Sequence, residues 1–108
     1  MLKYNHLGIP TSRSMLGETY LRQFRIYVSG YEDSPYRIER MRFEPESTLP
    51  DIVKTVPHVA FEVDDLSEAI RNRKVIIPPN SPSDGLEVAF IEENGAPVEL
   101  MQYRPPRT

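Results

Sequence analysis

Two short segments about fifty residues apart constrain this chain more than any other feature. His6-Leu7-Gly8-Ile9 and His58-Val59-Ala60-Phe61 share one pattern: a histidine, an apolar residue, a small residue and a second apolar residue. They contain both histidines of the chain. Each opens a stretch that closes on a strand-like segment carrying a glutamate, Glu44 in the first half and Glu99 in the second. Two copies are too few for a solenoid, so the pattern predicts an internal duplication within one domain. With 108 residues the chain has room for a single modest core, divided between a first unit over about residues 1–50 and a second over about 57–103.

The second unit is the easier to read. Val59, Phe61 and Val63 alternate with His58, Ala60 and Glu62, which predicts a strand with one apolar face and one face carrying the histidine. Asp65-Leu66-Ser67-Glu68 has the form of a helix start, and Leu66, Ala69 and Ile70 give a short amphipathic helix of about two turns. Lys74 to Ile77 is a β-branched run that Pro78-Pro79 is expected to stop, followed by a polar loop over residues 80–85. Leu86 to Glu92 and Pro97 to Tyr103 flank Asn94-Gly95, the pair that most strongly signals a two-residue hairpin. The predicted order is β-α-β-β-β.

The first unit reads as a looser copy. Strands are expected over Tyr4 to Ile9, Phe24 to Ser29 and Tyr36 to Glu44, and a short helix within Thr11 to Leu21 weakened by Gly17. The fold class predicted is α+β, with two paired βαβββ modules forming a cupped mixed sheet and the first module abbreviated. The eleven prolines fall mainly between these elements, and Arg104 to Thr108 reads as an extended terminus.

Composition removes several functions. Cysteine is absent, which excludes disulfide scaffolds, thiol catalysis and Cys-ligated zinc. A formal charge of −3 with no basic cluster argues against nucleic acid as the main partner. No apolar run is long enough for a membrane span, and the first residues lack a signal-peptide pattern, so a cytoplasmic protein is expected. The small size suggests a homodimer.

Alternation then sorts the polar candidates. On the last strand Val98, Leu100 and Gln102 share one face, and Glu99 and Met101 the other. If the more apolar face of each strand lies under a helix, His6, His58 and Glu99 point the opposite way, and so does Glu44 if Met41 and Phe43 are covered. Two imidazoles and two carboxylates in one concavity suit a divalent first-row metal such as Zn, Ni, Mn, Co or Fe. Either carboxylate, Glu44 or Glu99, is a candidate proton carrier. Glu39 and Glu46 are neighbouring alternatives to Glu44. Tyr4 and Tyr27 are candidate groove residues, and Arg40 and Arg42 candidate anion binders that equally suit a solvated strand face.

The run from His58 to Leu66, with Val88 to Gln102, resembles the second module of the vicinal oxygen chelate superfamily, which includes glyoxalase I, bleomycin-resistance proteins and extradiol dioxygenases. The likeness covers residues 57–103 well and residues 3–45 through His6 and the general layout. It implies βαβββ modules paired into a cup, with metal ligands on the first and last strand of each module: His6, Glu44, His58 and Glu99. The implied function is a metal-dependent lyase or isomerase acting on a small oxygenated metabolite, anionic if Arg40 and Arg42 line the groove. A metal-free ligand-binding protein of the bleomycin-resistance type is the alternative.

Overall fold

A computed structural model describes residues 2–104, so the expected tail beyond Arg104 lies outside the described residues. Eight strands form one sheet: β1 (Lys3–Pro10), β2 (Thr19–Leu21), β3 (Ile26–Ser29), β4 (Ile38–Phe43), β5 (His58–Glu62), β6 (Lys74–Ser83), β7 (Leu86–Glu93) and β8 (Ala96–Tyr103). Two short helices accompany them, α1 (Asp51–Thr55) and α2 (Leu66–Ala69). The strand order is β2-β3-β4-β1-β5-β8-β7-β6.

That order is symmetric about the seam between β1 and β5, which run antiparallel. On either side the opening strand of a half lies parallel to its closing strand, β1 to β4 and β5 to β8. The register repeats as well: Gly8 sits opposite Glu39, and Ala60 opposite Glu99. The duplication suggested by the histidines is thus a property of the sheet, and the α+β cup of paired modules is the observed architecture.

The second half folds as its pattern predicts. Asp65 caps α2 by accepting from the Glu68 N–H at 3.2 Å, and Leu66 drops onto Ala89, Ile91 and Leu100 to make the core on the outer face of the sheet. Gln102 accepts from the Leu66 N–H at 2.8 Å and ties the helix start to β8. Asn94 and Gly95 both take positive φ and join β7 to β8 in a two-residue hairpin. One expectation fails here. β6 does not stop at Pro78-Pro79 but continues to Ser83, with three register shifts against β7. It is the edge strand, so a proline N with no proton has no second neighbour to serve.

The first half departs further. No helix lies within Thr11 to Leu21, where turns lead into β2. The helix of this region instead lies in the stretch joining the halves, as α1, whose Val53 is almost fully buried. A short β2 therefore replaces the expected helix, and the outer face of β3 and β4 carries no helix. Among the described residues, no helix is long and apolar enough to cross a membrane.

Candidate metal centre and its cavity

The inner faces of β1, β5 and β8 place three side chains at one point. Nε2 of His58 lies 3.1 Å from Oε1 of Glu99, Nε2 of His6 lies 3.2 Å from the same oxygen, and the two Nε2 atoms are 3.3 Å apart. Both imidazoles are buried, and Glu99 nearly so. Two nitrogens and a carboxylate oxygen this close need a hydrogen or a cation between them. Ligands of one first-row ion, with bonds of about 2.0–2.2 Å, stand about 3.0–3.5 Å from one another. The donor set and its spacing fit such an ion, and all three donor atoms lie within 4.8 Å of one another.

The surroundings orient each ring. A bulge between Tyr4 and His6 turns Asn5 inward beside His6, where Asn5 Oδ1 lies 2.6 Å from His6 Nδ1. Asn5 Nδ2 donates to Glu62 at 2.9 Å, and because a carboxylate only accepts, the amide orientation is fixed. His6 must then donate through Nδ1, which leaves its Nε2 lone pair for the cluster. Tyr31 also donates to Asn5 Oδ1, at 3.3 Å. His58 lies over the Gly8 backbone: a Cβ on Gly8 would come within 2.2 Å of the ring. Its Nδ1 is buried with no hydrogen-bond partner, so all hydrogen bonding of that ring is through Nε2.

The electrostatics agree with the geometry. Burial alone would raise the Glu99 carboxyl, but hydrogen bonds from His58 and His6 and their charge hold it near a pKa of about 2. Burial works against charge on His6, yet the bond and charge of Glu99, with the charge of Glu39, raise its pKa. Glu39 is the fourth member. Its Oε1 is 3.8 Å from His6 Nε2, and burial raises its pKa, with the neighbouring Glu99 charge adding to the effect.

These four groups line a cavity of about 260 Å³. No family model matches the chain, and no curated protein matches it. Solved structures do. The chain superposes on a hypothetical protein, BH1468, from Bacillus halodurans C-125 with a TM-score of 0.72 and 18% identity, covering 99% of this chain and 98% of that one. It superposes on methylmalonyl-CoA epimerase from Mycobacterium tuberculosis with a TM-score of 0.65 and 16% identity, covering 95% and 89%. The fold is that of the vicinal oxygen chelate superfamily.

Within this vicinal oxygen chelate fold the expected site residues part company. His6, His58 and Glu99 come together. Glu44 does not join them: its carboxylate takes a hydrogen bond from Tyr20, and Glu39 stands where Glu44 was expected. The cause is the missing helix. With no helix over β3 and β4 from outside, their apolar residues Ile26, Val28 and Met41 turn into the cup, and Glu39 turns in with Met41. The even-numbered residues of β4 then face out. Arg42 makes a bidentate pair with Glu18 at 2.8 and 2.9 Å and stacks on Tyr27, 4.1 Å from the ring centre. Arg40 lies in a separate groove beside Gly30 and Ile38. Tyr4, which alternation put with His6, is on the other side of the bulge and donates to the Tyr36 carbonyl at 2.8 Å. None of Tyr4, Tyr27, Arg40 and Arg42 lines the cavity. Sequence reasoning named Glu39 only as an alternative to Glu44, and it did not single out Asn5 and Tyr31, which stand beside the cluster. The register match of Gly8–Glu39 to Ala60–Glu99 is the signal that finds Glu39, and it requires the strand pairing to be known.

Proposed function

We propose that this chain is a divalent-metal-dependent enzyme of the vicinal oxygen chelate type, a lyase or isomerase that moves a proton next to a carbonyl of a small oxygenated metabolite. The observation that carries the reading is the convergence of His6 Nε2, His58 Nε2 and Glu99 Oε1 on one point in the wall of a cavity. His6, His58 and Glu99 hold the ion. When bound, a divalent ion polarises substrate oxygens and stabilises the negative charge that develops on proton removal. Glu39 moves the proton. It stands just outside the trio, and its raised pKa makes it a stronger base than a solvated carboxylate. Asn5 holds the His6 ring, and the apolar walls keep water from the reacting carbon. Glu44 takes no part.

His58→Ala should abolish stoichiometric zinc or nickel uptake, measured by elemental analysis after loading, with an unchanged circular-dichroism spectrum. Glu44→Ala should leave uptake intact. Uptake that survives in His58→Ala sinks the metal reading; metal-free protein that gains melting temperature with a small ligand would then favour the binding-protein alternative.

The pH dependence has a definite sign. An ion must displace the proton that the raised His6 pKa favours, so affinity measured by titration calorimetry should fall as pH drops through and below neutrality. In the metal-free protein the trend reverses. The His6–Glu99 pair stabilises the fold below the ordinary histidine value of about 6.5, and that contribution fades as pH rises through the raised His6 pKa. A metal affinity independent of pH between 5.5 and 7.5 would contradict the assignment.

A further inference from the structure

The charged groups of the cavity are gathered in one cluster. Glu39 and Glu99 lie there with the two histidines. Away from them the wall is mainly hydrocarbon, with Phe24 and Ile26 from the first half, Ile77, Leu86 and Val88 from the second, and Tyr103 and Asn80 as its polar members. Leu49 and Val53, from the stretch joining the halves, complete it. Gln23 Nε2 donates to the Pro82 carbonyl at 3.2 Å, so the two ends of the sheet are clasped across the same space.

Among the described residues, no lysine or arginine lines this cavity. Arg42 is held by Glu18 on the outer face, and Arg37, whose charge reaches His6, lines a separate groove with Tyr4 and Tyr36. Asn80, which also lines the cavity, offers an anion no free N–H. Asn80 Nδ2 donates to the Pro78 and Val88 carbonyls, which leaves Oδ1 as a buried acceptor without a donor. A carboxylate or phosphate entering this part would lose its hydration and meet no cation. A hydrocarbon group there would leave water for matching apolar walls.

We infer that the ligand of this site is neutral, with an oxygen-bearing head at the His6–His58–Glu99 cluster, a compact branched or aromatic hydrocarbon portion against the remaining wall, and no further acidic group. The inference rests on the metal reading above and adds the selectivity of the remaining wall. It replaces the anionic substrate that Arg40 and Arg42 suggested with one those arginines never touch.

Three hydroxamic acids with the same chelating head test it, since differences among them report the tail alone. They are acetohydroxamic acid, 4-methylpentanohydroxamic acid and succinic acid monohydroxamate, titrated calorimetrically into the zinc-loaded protein after zinc uptake has itself been measured. The branched tail should bind at least about tenfold more tightly than acetohydroxamic acid, since each buried methylene is worth severalfold in affinity. The carboxylate tail should bind no more tightly than acetohydroxamic acid. Leu86→Lys should narrow or reverse that order. Zinc uptake with a carboxylate tail equal to or better than the branched one overturns the inference and leaves the metal reading standing. Zinc uptake with no binding of any of the three overturns it also. Failure to take up zinc overturns both.

Discussion

Over the second half of the sheet, α2 presses Leu66 onto Ala89, Ile91 and Leu100, whereas the corresponding surface of the first half carries Arg42 stacked on Tyr27 and no helix. The inner faces differ in step. In the first half Ile26, Val28 and Met41 supply apolar wall to the cavity, while the second half divides its apolar residues between the helix-covered core and the cup. The comparison teaches that alternation tells which side chains share a face and leaves open which face is inside. A covering helix decides that. Where it is missing, the apolar set turns toward the cup, and the residues between them turn out.

The largest test of this contrast is Leu66→Ala. A buried leucine at the centre of the helix–sheet contact should lower unfolding stability by about 2–5 kcal/mol, read from the denaturant midpoint. Next is Asn5→Ala, which removes the acceptor that holds His6 Nδ1. It should weaken zinc binding about 10–100-fold, with fold stability changing much less than in Leu66→Ala. An Asn5→Ala protein with wild-type zinc affinity would show that the bulge does not serve the site. The smallest effect is expected from Arg42→Ala on the face without a helix. Its midpoint shift should be a small fraction of that of Leu66→Ala, because a pair at the solvent boundary is screened. Equal shifts from the two would mean that both outer faces are structural cores and would break the comparison.

The second module was legible in the sequence because its signals reinforce one another. Asp65 caps, Leu66 buries, Asn94-Gly95 turns, and each local preference agrees with the sheet that results. The first module was legible only in part. His6 was placed on the inner face, but the bulge that turns Asn5 in and Tyr4 out has no composition signature. Glu44 was favoured over Glu39 because Met41 and Phe43 were taken to lie beneath a helix that does not form. The strands of β4 and β3 were read in the right places, and the side of the sheet they present was inverted. The prolines of β6 misled for a related reason: they forbid a central strand and tolerate an edge, and position in the sheet is a tertiary fact.

The seam between β1 and β5 has a consequence for how the molecule holds together. His6 comes from one side of it, and His58 and Glu99 from the other, so the cluster belongs to neither half alone. An ion held there acts as a rivet through the seam, and its binding free energy adds directly to the docking of one half on the other. Backbone amides along β1 and β5 should therefore gain more protection from hydrogen exchange on loading than those of the edge strands β2 and β6, which makes the bound centre a gauge of whether the two halves are joined.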